Sequence, residues 1–299
     1  MKFWILEEKK MKARAFVPGN ITGFFVIIDH SNTLLCGSTG CGFVLNKGVI
    51  TTIQVKKTKK PSIDILLDGK PCDCPVTQKV VSLMGNSTKN VYLKINHELQ
   101  LPMKYGFGMS AAGALGAALA LNRALNLNMT RLQCGQIAHS AEILNKTGLG
   151  DVISEMEGGL LLRRRAGAPG IGETYKIKCD DYAVSFLIGK ELDTKTILLD
   201  ESKKKRINNI GEKCLNSFTG NISTAQFLKV SRRFAFETSL MSNNVRLAVE
   251  KLQSQDIVAT MIMLGNAVFT LTENPEIVSN ILNYPSVITK IDNRGARII

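Results

Sequence analysis

The 299-residue chain is poor in the residues that build metal centres and disulfide frameworks. It has three histidines, His30, His97 and His139, set far apart, and no Cys-x-x-Cys pair. Its seven cysteines are an odd number and scattered, with only Cys72 and Cys74 close together. Zinc sites draw on closely spaced Cys and His ligands, so this distribution argues against one, and the cysteines read as reduced thiols. Long apolar runs are also missing. The best candidate, Ala111–Leu121, is broken by glycines and stops at Asn122-Arg123, too short to span a bilayer. Near the start, Glu7, Glu8, Lys9 and Lys10 interrupt any signal-peptide core, so a cytoplasmic location and no membrane partner are expected. Acidic residues are outnumbered by basic ones, 25 against 38, for a net charge of +13. The basic clusters at Lys56–Lys60, Arg163–Arg165, Lys203–Arg206 and Arg232-Arg233 lie apart and are not interleaved with aromatics. Solvated loops or the handling of small anions account for them better than a nucleic-acid surface.

What is present first is β-prone. Lys12–Val17 alternates and is expected to end at Pro18-Gly19, and Gly23–Asp29 is a second apolar strand. Gly42–Val55 reads as a hairpin turning at Asn46-Lys47-Gly48; Ser62–Leu67 precedes a turn at Asp68-Gly69; Asn90–Leu99 alternates again. Helices follow. One covers Ala111–Leu125, and a second starts at Thr130, where Gln133 completes a capping box, and runs to about Leu144. Thr147–Asp151 is a loop, Val152–Glu157 a short helix, and Leu160–Arg165 a strand entering the Gly/Pro-rich loop Gly167–Gly172, the expected domain boundary. Beyond it come a strand over Tyr182–Leu192, a largely helical region from Asp200 to about Leu264, and a strand over Gly265–Glu273. Strands, then helices, then a mixed module indicate an α+β protein with domains 1–172 and 173–299.

The stretch Leu101–Leu125 places two glycines and a serine at the mouth of an alanine- and leucine-rich helix. A helix N-terminus offers unpaired N–H groups and partial positive charge, and glycines before it let the backbone close around an anion. The pattern therefore reads as a phosphate cradle. A Walker loop is excluded, because no Gly-Lys-Ser/Thr ends it. The dinucleotide fingerprint is formally met by Gly106-x-Gly108-x-x-Ala111, but it requires an acidic residue about 20 positions on. No Asp or Glu occurs between Ala112 and Ala141.

Pro102-Met103-Lys104-Tyr105-Gly106-Phe107-Gly108-Met109-Ser110-Ala111-Ala112 resembles the P-x-x-x-G-L-G-S-S-A-A loop of the GHMP kinases. Met109 replaces the first serine and Ser110 keeps the second. Phe16–Asn20, Gly148–Gly159 and Met263–Leu271 resemble three further motifs of that superfamily, in the right order. The wording of "PGNITGFF", "GSTGCG", "AHSAEILNKTGLGDV" and "GGLLLRRRAGAPG" is similar to the archaeal pantoate kinase branch, and the likeness extends from Ala15 to Phe269.

This resemblance implies a two-domain GHMP kinase fold, with a ribosomal protein S5 domain 2-like N-terminal part and a ferredoxin-like C-terminal part. It implies ATP and Mg2+ as cofactors, pantoate as the alcohol phosphorylated, and a homodimer; the alternatives are a GHMP kinase for another small alcohol such as homoserine or mevalonate, or a basic non-catalytic RNA-binding module. Ser110 and Glu142 match metal-binding positions, although Glu142 read alone is also compatible with a solvent-exposed side chain. Asp151 matches the residue that meets the substrate hydroxyl, and read alone is equally a helix N-cap. His139, three residues before Glu142 and on its helix face, matches a position facing the acceptor, where a lone histidine is otherwise a filler. Arg163 matches the carboxylate-binding arginine, and strand alternation would set Arg163 and Arg165 on one face with Arg164 on the other. Ser38 and Thr194 are further substrate candidates that could each be a turn or cap. Asn20 stands where the superfamily often has Lys and this branch His, and an amide hydrogen-bonds without carrying charge.

Overall fold

A computed structural model describes residues 11–189 and 200–299. The architecture is α+β, with a β-rich first part and a second part of mixed sheet and helix. The first sheet is built on two long strands, β1 (Met11–Ile28) and β2 (Gly37–Lys57), paired antiparallel along their length. On the far side of β2 lie β5 (Val91–Leu99), β3 (Ser62–Leu67), parallel to β5, and the short β4 (Lys70–Pro71). The other end of β2 pairs with β6 (Leu160–Arg165), which pairs with β7 (Glu173–Ile177); β12 (Arg297–Ile298) edges β1.

Neither Pro18-Gly19 nor Asn46-Lys47-Gly48 turns the chain. The register jumps there from Pro18↔Gly48 to Asn20↔Val44, so Leu45–Lys47 form a bulge inside a continuous strand. Proline is tolerated at such an irregularity. A Cβ on Gly48 would stand 2.0 Å from the Val17 carbonyl, so glycine is required for backbone approach rather than for reversal. The bulge is where β2 exchanges β5 for β6 as its neighbour.

Helix α1 (Pro75–Leu83) falls inside the stretch read as mostly strand. Proline opens it and Val76, Val80 and Val81 supply its buried face, a helical spacing masked by β-branched residues. Helix α2 (Met109–Leu125) is buried on nearly every side, with Gly113 against His97 and Gly116 against Thr51 on the sheet. Helix α3 (Arg131–Asn145) carries the expected capping box: Gln133 N donates to Thr130 Oγ1 at 3.2 Å and Thr130 N to Gln133 Oε1 at 2.8 Å. Helix α4 (Asp151–Glu157) ends at Gly158.

The second sheet is antiparallel, in the order β11 (Ser286–Lys290), β8 (Tyr182–Leu187), β10 (Ala267–Thr272), β9 (Thr260–Met261). Around it stand α5 (Glu201–Thr219), α6 (Thr224–Thr238), α7 (Asn243–Gln253) and the short α8 (Pro275–Ser279), so the helical region expected from Asp200 stops near Gln253. Phe24 and Phe43 from the first sheet interlock with Phe218, Phe227 and Phe269 from the second part at centroid distances of 5.2–6.5 Å. Such aromatic packing adds to plain area burial and joins the two parts in one core.

Candidate active site

The loop before α2 is fixed from two sides. Asn20 N donates to the Phe107 carbonyl at 2.9 Å, tying the loop to β1. On the other side the Met263–Gly265 turn presses on it: a Cβ on Gly106 would lie 2.8 Å from the Met263 carbonyl. Gly106 (φ 85°) and Gly108 (φ 70°) both adopt left-handed backbone, which glycine alone takes without strain. Gly108 is the N-cap of α2, no side chain caps this helix, and Gly108–Ala111 at its start line a cavity. Met109, in place of a serine, is buried, with its methyl against Gly19 of β1. Phe107, Ala111 and Ala112 are buried as well, and Pro102 is half-buried.

Acidic groups gather beside this helix end. Ser110 Oγ donates to Glu142 Oε1 at 2.5 Å, and Thr147 Oγ1 donates to the same oxygen at 2.9 Å. Glu142 is buried, so the solvent-exposed alternative falls. The Glu142 and Asp151 carboxylates converge over Gly148, whose Cβ, if present, would stand 2.3 Å from Glu142 Oε2 and 3.3 Å from Asp151 Oδ2. Asp151 is the first residue of α4, and Gly150 occupies the cap position. Its side chain is not a cap: Oδ1 accepts from Asn20 Nδ2 at 2.7 Å. Burial raises the Asp151 carboxyl above its ordinary range, and the Arg163 charge and the Asn20 hydrogen bond pull the other way.

Arg163 is 2% exposed, and its Nη1 donates to Ser154 Oγ at 3.1 Å. Ser38 meets it at Gly150, where a Cβ would lie 2.4 Å from Ser38 Oγ and 2.8 Å from Arg163 Nε. Arg165 does not share its face. A register irregularity between Arg163 and Arg165 breaks the alternation, and both Arg164 and Arg165 are exposed, Arg164 stacking on Tyr175 at 4.8 Å. His139 is also displaced from the expected role. It does not line the cavity, and its Nε2 lies 3.1 and 3.0 Å from the Thr33 and Cys36 carbonyls, so the ring proton is spent on anchoring that loop. Thr194 lies outside the described residues.

A cavity of about 570 Å³ connects these groups. Asp151, Arg163 and Ser38, the α2 N-terminus, and Cys72–Thr77 with His97 all line it. This volume is in the range of small-molecule sites. Two buried groups escaped the sequence reading. His97 is pinned between Thr51 Oγ1 (2.9 Å) and Thr77 Oγ1 (3.0 Å), and burial pushes its imidazole down to about 4. Glu155 sits one turn after Asp151, fully buried. The alternation in β5 could have placed His97 inward; for Glu155 the only signal was its four-residue spacing from Asp151.

With this geometry in place, similarity to known proteins is specific. Residues 76–159 match the model of the GHMP kinases N terminal domain. The pantoate kinase of Thermococcus kodakarensis is 34% identical over 271 residues, covering 89% of each chain. That of Methanocaldococcus jannaschii is 34% identical over 274 residues, 91% of this chain and 98% of the relative. A solved structure described as a phosphotransferase related to the CoA biosynthesis pathway superposes with a TM-score of 0.87 at 30% identity, over 96% of this chain and 98% of that one.

Proposed function

The chain belongs to the pantoate kinase family of the GHMP kinases, and from that premise we propose that it transfers the γ-phosphoryl group of ATP to the 4-hydroxyl of pantoate, giving 4-phosphopantoate for coenzyme A synthesis. The observation that carries this reading is the convergence of the uncapped α2 N-terminus, the Ser110–Glu142 pair, Asp151 and Arg163 on one cavity.

Phosphoryl transfer requires positioning and charge neutralisation more than covalent participation of the protein. The loop Pro102–Ala112 holds the phosphates with backbone N–H groups and the helix dipole. Ser110 Oγ and Glu142 are hard oxygen donors of the kind Mg2+ takes. Among the described residues no group of three His, Cys, Asp or Glu side chains is placed to hold a metal. Together Ser110 and Glu142 would hold the ion against the phosphates of the nucleotide, where it would neutralise developing charge. Asp151 accepts the proton of the attacking hydroxyl, and Asn20 orients it through the 2.7 Å hydrogen bond. Arg163 binds the pantoate carboxylate with a planar fork of donors, and Ser38 adds a hydroxyl beside it. His139 contributes by holding the Thr33–Cys36 loop. The S5 domain 2-like and ferredoxin-like subdomains, a division near residue 172, a homodimer and a cytoplasmic location belong to the same reading.

ADP release with Mg-ATP and a panel of pantoate, homoserine, mevalonate and shikimate tests it. Turnover on pantoate alone, abolished by Asp151→Ala, is expected. Turnover on another alcohol would keep the family and overturn the substrate.

A further inference from the structure

Glu155 lies on the face of α4 that begins with Asp151, four residues earlier, and is wholly excluded from solvent. Neither of its carboxyl oxygens meets a donor. Its Oε1 underlies the phosphate loop: a Cβ on Gly108 would stand 2.5 Å from it and 3.3 Å from the N and Cβ of Asn20. The Asn20 carbonyl oxygen Oδ1 is likewise buried and without a donor, while Nδ2 of the same amide donates to Asp151 Oδ1 at 2.7 Å and Thr22 Oγ1 at 3.3 Å. Three buried acceptor oxygens, two on Glu155 and one on Asn20, therefore have no donor among the described residues, and both side chains lie against Gly108. Turning the amide over brings no relief, because it would set a carbonyl 2.7 Å from a carboxylate oxygen.

The backbone of Glu155 is held in place: its carbonyl accepts from Ala296 N at 2.8 Å, and the next carbonyl, of Met156, is held by Arg131. The charged groups around it offer no compensation. Asp151 on α4 and Glu142 on α3 are acidic, Arg131 on α3 is spent on the Met156 and Ala296 carbonyls, Arg163 on β6 is directed to Ser154 Oγ and Asp151, and Asp292 of the C-terminal segment pairs with Arg297. An ionised carboxylate here would be desolvated and unpaired, whereas a carboxylic acid supplies the missing donor.

We propose that Glu155 is a positioning residue that keeps its proton and donates it to Asn20 Oδ1, locking the amide with its NH2 group toward Asp151. Asn20 then bridges a carboxylic acid and a carboxylate, its amide offering an acceptor to one and a donor to the other. Burial, and after it the negative charges of Asp151 and Glu142, hold the Glu155 carboxyl well above the usual carboxylate range. The consequence for catalysis rests on the reading of Asp151 as proton acceptor; the hydrogen bond itself does not.

Two measurements test this. Infrared difference spectra of wild type against Glu155→Gln, without substrate at neutral pH, should show a carboxylic-acid carbonyl band that the variant loses. Its absence would overturn the proposal, and this readout stands whichever alcohol the enzyme phosphorylates. The second compares kcat–pH profiles of Glu155→Gln, which keeps a donor, and Glu155→Met, which fills the space without one. The Met variant should lose about tenfold in kcat, the worth of one hydrogen bond to an ionised network, with the KM for ATP nearly unchanged. Its acid limb should also move to higher pH, since the Asn20 hydrogen bond lowers the Asp151 pKa. The Gln variant should stay close to wild type in both. Equal loss in both variants would mean that the charged carboxylate is required, and full activity with an unmoved limb in both would make Glu155 a space filler; either overturns the proposal.

Discussion

Ser110 Oγ stands 2.5 Å from Glu142 Oε1, although the two residues lie on different helices, 32 positions apart. The contact joins the first turn of α2, the proposed phosphate cradle, to the wall that carries Asp151. Glu142→Gln keeps the shape and removes the charge. It should lower kcat by about a hundredfold, the usual cost of losing one preorganised charge-stabilising group. It should also raise the Mg2+ concentration needed for half-maximal rate. Ser110→Ala should shift the Mg2+ requirement the same way with a smaller loss. A Mg2+ titration at saturating ATP checks both, and an unchanged requirement in Glu142→Gln would remove the residue from the metal site.

Arg163 acts on Asp151 through its charge and, in the proposed function, binds the substrate carboxylate. Arg163→Met should cut kcat/KM for pantoate by roughly a hundredfold, as truncating a buried charged hydrogen-bond partner does. The KM for ATP should barely move. The sign of the pH effect is fixed by the electrostatics. Arg163 lowers the Asp151 pKa, which burial has raised, so its removal lets that pKa rise further. Activity that needs ionised Asp151 is lost as pH falls through that value, so the acid limb of the kcat profile should move to higher pH.

How legible these groups were in the sequence depends on the kind of contact that defines each. Thr130 and Gln133 satisfy each other locally, and the capping box read from four residues is the one observed. Motif wording singles out Ser110, Glu142 and Asp151, and in the structure Ser110 bonds Glu142 while the Glu142 and Asp151 carboxylates approach each other over Gly148. Asn46-Lys47-Gly48 misled because a turn-like tripeptide served a bulge whose cause, the Val17 carbonyl, lies 31 positions away. Arg165 misled for the same reason, since period-two alternation fails across a register irregularity. His139 fell on the right helix face, yet its proton goes to carbonyls of a loop over 100 positions upstream. Long-range backbone partners of this kind leave no local pattern.

His97 predicts an acid weakness. Its folded-state value is about 4, held down by burial between Thr51 and Thr77. An unfolded chain takes up the proton near pH 6.5 and the folded chain refuses it, so stability falls as pH drops from about 6.5 toward 4, by about 3 kcal/mol in total. Urea unfolding across that window should show this slope. His97→Asn should start less stable at neutral pH, because it loses at least one threonine hydrogen bond, and should show a flatter dependence. A slope equal to the wild type would mean that another group carries the acid sensitivity.

Gly148 offers the sharpest separation of site geometry from folding. It does not adopt the left-handed backbone that would penalise alanine, so Gly148→Ala carries no intrinsic conformational cost there. The added methyl would instead stand 2.3 Å from Glu142 Oε2 and 3.3 Å from Asp151 Oδ2. At the shorter distance something must shift, and what lies there is the carboxylate that Ser110 and Thr147 hold. Displacing a reacting constellation by about 1 Å costs roughly a hundredfold in rate. Gly148→Ala should therefore lose that order of kcat with little change in thermal unfolding midpoint. Gly220→Ala is the control, since a methyl there meets no atom closer than 3.8 Å and the residue sits after α5, away from the cavity. Full activity in Gly148→Ala would show that the Glu142 side chain has freedom to move without consequence, and the tight Ser110–Glu142–Asp151 geometry would then not be what the reaction depends on.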